Sequence, residues 1–251
     1  MFKIVHKRVL NPSVVLMDIH APFIAKKAMA GQFIIFRIDE KGERVPLTIA
    51  GYDREMGSIT IIFQIVGKTT EHLASLNEGD VLLDVAGPLG IPQAKELYDR
   101  GLKVDVITGF RNKDIVILED EFKKTCDNLI VCTDDGSYGK KGFVTDALKE
   151  LIEAGNEYDA VIAIGPVPMM KFVCSVTKPY NIKTIVSLNP IMIDGTGMCG
   201  GCRVTVGGKI KYACVDGPDF DGHEVDFDEL MKRNSTYREQ EHNCRMLNNL
   251  K

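Results

Sequence analysis

The chain has 251 residues, 45% hydrophobic and 26% charged, the balance of an ordinary globular protein long enough for one large domain or two to three small ones. A formal net charge of −4 gives no basis for nucleic acid or an anionic membrane as partner. No stretch approaches the roughly 18 continuous apolar residues of a membrane span, and the start, MFKIVHKRVLNP, lacks the apolar run of an export signal.

Up to residue 92 the apolar residues recur with period two. The segments KIVHKRVL, SVVLMDIH, QFIIFRID, VPLTIAGYD, SITIIFQIV and DVLLDVAG are short, rich in β-branched residues and divided by turn residues. This predicts six strands of an antiparallel barrel. TTEHLASL, residues 69–76, reads as a helix or turn inside it. From Gln93 the pattern changes. QAKELYDR, DIVILEDEFKKT, FVTDALKELIEA and PMMKFVCSV read as helices, the third ending at Gly155 and the fourth opening on Pro168. Between them VDVITGF, NLIVCTDD, AVIAIGP and TIVSLN are continuously apolar and read as fully buried parallel strands. The alternation predicts a doubly wound nucleotide-binding α/β domain. A glycine-rich loop follows, and a charged tail closes the chain as one helix plus an extended end. The expected division is a β-barrel over 1–92, an α/β domain over 93–188 and a small loop module with the tail over 189–251.

The loop module carries the sharpest motif, IDGTGMCGGCRVTVGGKIKYACVDGP. Asp194, Cys199, Cys202 and Cys214 have the spacing Asp-x4-Cys-x2-Cys-x11-Cys. That is the plant-type iron–sulfur spacing with aspartate in the first ligand position. Gly195, Gly197, Gly200 and Gly201 let the backbone wrap closely around an inorganic core. A zinc site of three Cys and one Asp uses similar donors. A redox dithiol at Cys199 and Cys202 is the third possibility, but it leaves Cys214 and the glycines without a role. Cys126, Cys132 and Cys174 lie in apolar patterns and read as core thiols. Seven cysteines without an export signal point to a reducing compartment, the cytoplasm.

In the barrel, Arg44-Val45-Pro46-Leu47-Thr48 opens a strand. An arginine fork suits a pyrophosphate and the nearby hydroxyl suits a flavin edge, though a surface arginine beside an edge proline is the plain alternative. Gly67-Lys68-Thr69-Thr70 leads into a helix start whose free N–H groups suit a second phosphate; the alternative is an ordinary threonine cap. In the α/β region three loops follow carboxyl ends of strands: Gly109-Phe110-Arg111-Asn112, residues 133–139 with Asp134, Asp135 and Gly136, and Gly165-Pro166-Val167-Pro168-Met169. Ligands of open α/β sheets bind at that edge, so together the loops predict a dinucleotide site. The histidines, His6, His20, His72, His223 and His242, form no pair at ligand spacing, and no acid–base or nucleophile constellation stands out. No catalytic side chain is expected, since redox cofactors carry their own chemistry.

Barrel, RxPLT, nucleotide loops and cluster loop, in that order, resemble the ferredoxin reductase-like electron-transfer subunits over almost the whole chain. ITGFRNKD, LEDEF, TDDGSYGKKGFVTD, IGPVPMMK and GTGMCGGC carry the likeness. Within that family the chain is similar to the flavin/[2Fe-2S] small (alpha) subunits of NADH-dependent ferredoxin:NADP+ oxidoreductase, also described as sulfide dehydrogenase. The dihydroorotate dehydrogenase electron-transfer subunits are the neighbouring branch.

The resemblance implies FAD on Arg44, Pro46, Leu47 and Thr48, with Ile62, Phe63, Gln64, Gly67, Thr69 and Thr70 lining the flavin and its phosphates. It implies NAD(H) at Gly109, Arg111, Asp134, Asp135, Gly136, Gly165, Pro166 and Met169, and a [2Fe-2S] cluster on Asp194, Cys199, Cys202 and Cys214. It further implies electron transfer in a heterodimer with a larger flavin/iron–sulfur subunit of the glutamate-synthase small-subunit type, and indirectly with ferredoxin. The dihydroorotate branch has cysteine in the first ligand position, so Asp194 favours the ferredoxin:NADP+ branch. Two other functions compete: electron transfer to dihydroorotate dehydrogenase, and a non-catalytic iron–sulfur sensor.

One departure from the family stands out. Its first α/β strand and glycine-rich loop belong between GPLGIP and QAKELYDRG, where Pro92 is followed directly by Gln93. Strand one is central in this fold, and its loss leaves two neighbours roughly 9–10 Å apart with unpaired backbone. Either a stretch is absent from the numbering and the two residues are not bonded, or the chain is continuous and holds a four-stranded sheet with weak nicotinamide binding.

Overall fold

The structure, a computed structural model, describes residues 2–29, 32–89, 94–237, 239–240 and 242–243. The barrel strands are β1 (Phe2–Asn11), β2 (Val14–His20), β3 (Phe33–Arg37), β4 (Val45–Asp53), β5 (Ser58–Gln64), β6 (Val81–Leu82) and β7 (Asp84–Leu89), with α1 (Pro22–Ala25) after β2 and α2 (Lys68–Ser75) after β5. They pair antiparallel in the order β6-β1-β2-β5-β4-β3-β7. The expected sixth strand is split at Leu83, whose N–H donates to the Ile38 carbonyl at 3.0 Å. Its halves lie at opposite edges of the sheet, which nearly closes the barrel. The period of two puts Ile4, Met17, Ile19, Ile34, Phe36, Ile49, Ile59 and Ile61 wholly inside. Each such side chain contributes about 1.5–3 kcal/mol on burial.

The α/β region runs α3 (Ala94–Asp99), β8 (Asp105–Phe110), α4 (Glu119–Lys123), β9 (Asn128–Thr133), β10 (Lys140–Lys141), α5 (Val144–Glu153), β11 (Ala160–Ile164), α6 (Val167–Thr177) and β12 (Lys183–Ser187). After it come β13 (Arg203–Val206), β14 (Lys209–Tyr212), α7 (Ala213–Asp216), β15 (Asp219–Asp221) and α8 (Phe227–Asn234). The helix expected over DIVILEDEFKKT is not continuous. A 3-10 turn at Lys113–Ile115 and α4 are separated by a break in which Leu118 takes φ +57. The β-branched run Ile115-Val116-Ile117 resists helix.

The parallel strands do not form one sheet. β10-β9-β8 is one sheet and β11-β12-β15 another, with β15 antiparallel to β12. The two share a core in which Ile107 packs with residues of α5, α6 and β11, and the Tyr158 hydroxyl bonds Asp105 at 2.8 Å. Among the described residues β8 and β11 are paired on one side only and are the more exposed: β8 has no buried residue and β11 only Ala163, whereas β9 and β12, the middle strands of their sheets, bury Cys132 and Thr133, and Thr184 and Val186. Ile164 is 50% exposed. The four continuously apolar strands are therefore not all fully buried as their composition suggested. β8 and β11, the inner strands of the region, thus each leave one edge open among the described residues. The Pro92–Gln93 junction lies outside those residues.

Backbone alternation identifies which groups face this opening. The Val104 and Phe110 carbonyls accept from Asp127 and Asp134 on the β9 side, so even-numbered residues of β8 face β9 and Ile107 and Gly109 face the gap. The Thr184 carbonyl accepts on the β15 side, and the register Val161↔Thr184 then turns Ile162 and Ile164 toward the gap. In hydrogen exchange the amides of Ile107, Gly109, Ile162 and Ile164 should exchange roughly tenfold or more faster than those of Val106, Thr108, Val161 and Ala163. Equal protection on both edges would mean that a strand fills the space.

Candidate functional site

The x11 spacing before Cys214 is a β-hairpin. β13 and β14 pair with Arg203 opposite Tyr212, and Gly207-Gly208, at φ +57 and +72, supply the tight turn. The residues flanking the hairpin are thereby brought together. Cys202 and Cys214 Sγ lie 3.2 Å apart, and the Cys214 N–H points at Cys202 Sγ at 3.5 Å. Both sulfurs are buried in a cluster with Phe33 and Ile35 of β3, Met192 and Ala213. Burial, and then the neighbouring Cys202 sulfur, push the Cys214 thiol up to about 12.

Asp194 and Cys199 sit at the other end of the loop. The Asp194 carboxylate accepts the Thr196 N–H at 2.9 Å and the Cys199 N–H at 3.0 Å, which holds its pKa below the usual carboxylate value. Cys199 is exposed, and the Gly201 N–H donates to its sulfur at 3.4 Å. Gly195, Gly197 and Gly200 take φ of +76, +81 and +69. The loop thus forms two pairs, Cys202 with Cys214 and Asp194 with Cys199. Among the described residues no three His, Cys, Asp or Glu side chains converge into a finished ligand set. The donors still suit iron: a buried sulfur pair reachable by one ion, and a carboxylate beside a third sulfur.

The RxPLT segment expected to meet the flavin lies one strand away. Phe33 pairs with Thr48, Ile34 with Leu47 and Ile35 with Pro46, so β3 carries the sulfur pair's packing partners and borders the RxPLT strand. β4 and β5 pair only from Ile49↔Ile61 onward. Beyond that point Val45–Thr48 has only β3, and Ile62–Gln64 has only β2. The strands part between the segments expected to line the flavin. Pro46, with no N–H, suits such a free edge. Arg44 stands at the mouth with its guanidinium 3.3 Å from Asp84.

Two of the side chains expected at the flavin are engaged elsewhere in the fold. Phe63 is 3% exposed and its ring belongs to the barrel core, because strand alternation turns only Ile62 and Gln64 outward. The Thr70 hydroxyl accepts from Val66 and Gly67 N–H at 2.9 and 3.0 Å and donates to the Gly67 carbonyl at 2.9 Å. A hydroxyl has one donor and two acceptor sites, so Thr70 is saturated as the cap of α2. Thr69 bonds Glu43.

The first two nucleotide loops are stitched together. The Asp134 and Asp135 N–H groups donate to Phe110 and Arg111 carbonyls at 3.0 and 3.3 Å, and Lys113 N–H donates to Ser137 Oγ at 2.8 Å. Ser137 also donates from its hydroxyl and N–H to Asp135, lowering that carboxyl's pKa. Gly109 packs under α5, where a Cβ would fall 2.6 Å from Val144. The third loop, with Gly165 at φ +155 and Pro166 before α6, belongs to the other sheet.

Sequence reasoning did not pick out the role of Arg233. From the last turn of α8 its guanidinium donates to the Gly200 and Gly201 carbonyls at 3.4 and 3.3 Å. It lies 31 residues beyond Cys202 in sequence, and no motif marked it.

The iron–sulfur cluster binding domain family of dihydroorotate dehydrogenase B matches residues 189–226. An uncharacterized protein in the adh 3' region of Clostridium beijerinckii is 51% identical over 272 aligned positions, covering 96% of this chain and 92% of its own. A Thermotoga maritima homologue of the dihydroorotate dehydrogenase B (NAD(+)) electron transfer subunit is 48% identical, covering 89% of this chain and 86% of its own. A chain from a structure of NADH-dependent reduced ferredoxin–NADP oxidoreductase, described in terms of flavin-based electron bifurcation, superposes with TM-score 0.92 at 44% identity, over 100% of this chain and 98% of that one. A Neisseria gonorrhoeae ferredoxin NADP+ reductase with bound FAD and NADP shares the fold, with TM-score 0.58 at 14% identity, over 72% of this chain and 90% of that one.

A methyl at Gly139 would lie 2.2 Å from the Val131 carbonyl oxygen, on a residue held at φ +63. Gly139→Ala should therefore cost about 2–5 kcal/mol, combining left-handed strain with overpacking. The denaturation midpoint measures this, and an unchanged midpoint would contradict the close approach of the 133–139 loop to β9.

Proposed function

The chain belongs to the family of dihydroorotate dehydrogenase B electron-transfer subunits and their homologues, and on that premise we propose that it is the flavin and iron–sulfur subunit of a heteromeric oxidoreductase of the NADH-dependent ferredoxin:NADP+ type. The observation that carries this is the shared strand β3, with the sulfur pair packed on it and the RxPLT strand hydrogen-bonded to it. Bound FAD and a [2Fe-2S] cluster would supply the exchange between two-electron and one-electron chemistry. The residues do the rest. Arg44 offers its fork to the pyrophosphate in exchange for Asp84, and Pro46, Leu47 and Thr48 with Ile62 and Gln64 border the ring. Gly67 and Thr69 lie toward the phosphates. Asp194 and Cys199 would hold one iron, and Cys202 and Cys214 the other.

NAD(H) is assigned to the edge formed by Gly109, Arg111, Asp134, Asp135 and Gly136, with Gly165, Pro166 and Met169 on the second sheet. The intended division remains a flavin barrel over 1–92, a nicotinamide region over 93–188 and a cluster module over 189–251. No helix among the described residues is long and apolar enough to cross a membrane. The free thiols suit the reducing cytoplasm. The partner is a larger flavin/iron–sulfur subunit of the glutamate-synthase small-subunit type, through which electrons reach ferredoxin. A second reading, electron delivery to dihydroorotate dehydrogenase, is favoured by the family match over 189–226. The aspartate at position 194 weighs for the first.

Three measurements follow from this assignment. Asp194→Cys should keep the cluster and shift its potential, because a soft thiolate replaces a hard oxygen, whereas Asp194→Ala should lose cluster occupancy. Full occupancy in the alanine variant would remove Asp194 from the ligand set. Arg44→Ala should weaken FAD retention by about 1.5–3 kcal/mol, the range for a hydrogen bond to a charged group. Flavin content unchanged after exhaustive dialysis would count against that contact. Finally, anaerobic NADH should bleach the flavin absorbance. A flavin inert to NADH beside an intact cluster spectrum would support a sensor in place of an oxidoreductase.

A further inference from the structure

The peptide joining Gly200 to Gly201 has both of its polar ends engaged. Its carbonyl accepts from Arg233 at 3.4 Å, and its N–H donates to Cys199 Sγ at 3.4 Å. In a trans peptide these two groups point in opposite directions, so Arg233 lies behind the peptide and the sulfur in front of it. The next carbonyl, Gly201, also accepts from Arg233 at 3.3 Å. One guanidinium therefore grips both carbonyls of the Gly-Gly turn between two proposed ligands.

Arg233 is well placed for this and for little else. α8 is anchored by the buried side chains Phe227 and Leu230, and its start is capped by Asp226, whose carboxylate accepts the Glu229 N–H at 2.9 Å. Lys171 pins the same helix through Asp228 at 2.7 Å. Among the described residues Arg233 has no ion-pair partner, and it is half-buried. Its charge is left uncompensated and directed at the loop. A hydrogen-bonded chain of this kind polarises along its length, so the guanidinium strengthens the N–H···S bond beyond it.

We propose that Arg233 is a positioning residue that raises the reduction potential of the [2Fe-2S] cluster, acting through the Gly200–Gly201 peptide on Cys199 and through its own positive charge. Reduction adds one electron to the cluster and no bond is made or broken. A nearby cation and a stronger hydrogen bond to a ligand sulfur both stabilise the more negative, reduced form. The proposal rests on the cluster reading given above.

The test is the midpoint potential of the cluster in the full holo chain, by mediated redox titration followed by electron paramagnetic resonance. At the wild-type midpoint, Arg233→Gln should lower the ratio of reduced to oxidised cluster about tenfold, a shift of about 59 mV to more negative potential. Arg233→Lys keeps the charge but loses the planar fork, and should shift less in the same direction. If the glutamine variant cannot hold the cluster, the lysine variant decides by the same criterion. A wild-type potential in whichever variant retains the cluster overturns the proposal. So does loss of the cluster from both, which would make Arg233 a structural clamp only. A wild-type chain lacking any [2Fe-2S] signature would instead sink the cluster reading itself.

Discussion

The packing of the Cys202–Cys214 pair against Phe33 and Ile35 is the contact on which the rest of the arrangement depends. A loop rich in glycine has little side-chain surface with which to fix its own position, and its backbone freedom makes it costly to order. Burying the sulfur pair on β3 supplies that fixation. Gly195 runs so close to β3 that a Cβ there would fall 2.3 Å from the tip of Ile35. The same strand hydrogen-bonds β4 through the RxPLT segment, so one barrel strand sets the distance between the two redox motifs. Arg233 and the β13–β14 hairpin then act on a loop whose base is already held.

The α/β region is built on a different balance. Its two halves are joined by side-chain packing and by the Tyr158–Asp105 bond, with no continuous ladder between them among the described residues. Burial of Asp105's partner pushes the Tyr158 hydroxyl up to about 12, so it stays a neutral donor at every physiological pH. Inner-strand residues left half-exposed mean that the centre of this region holds less apolar burial than its composition offers. The edge proposed for NAD(H) is consequently divided, with the Gly109–Gly136 loops on one half and Gly165 on the other.

Much of this was legible in the amino-acid order. Strict alternation in KIVHKRVL or SITIIFQ determines a two-faced strand, because a shift of one residue would turn every isoleucine to water. Asp194, Cys199 and Cys202 lie within nine residues of one another, so local spacing alone makes them a motif. The long interval to Cys214 was accounted for only by the structure, in which Gly207-Gly208 turns the β13–β14 hairpin. Helices α2, α5 and α6 followed from periodicity and from glycine or proline at their ends.

What the sequence could not decide were properties that depend on neighbours distant along the chain. Phe63 and Gln64 are adjacent in a flavin-type motif, but only the assembled barrel shows that one ring is spent in the core. Thr70 reads as a cap or as a phosphate contact, and only the fold shows its hydroxyl bonded to the Val66 and Gly67 backbone. The exposure of β8 and β11 follows from their being paired on one side only among the described residues and not from their own apolar content, since a strand's composition records the partners it is suited to and tertiary structure supplies the ones it has. Arg233 belongs to the same class. No motif in the charged tail marks it, and only the docking of α8 brings its charge to the carbonyls of the cluster loop.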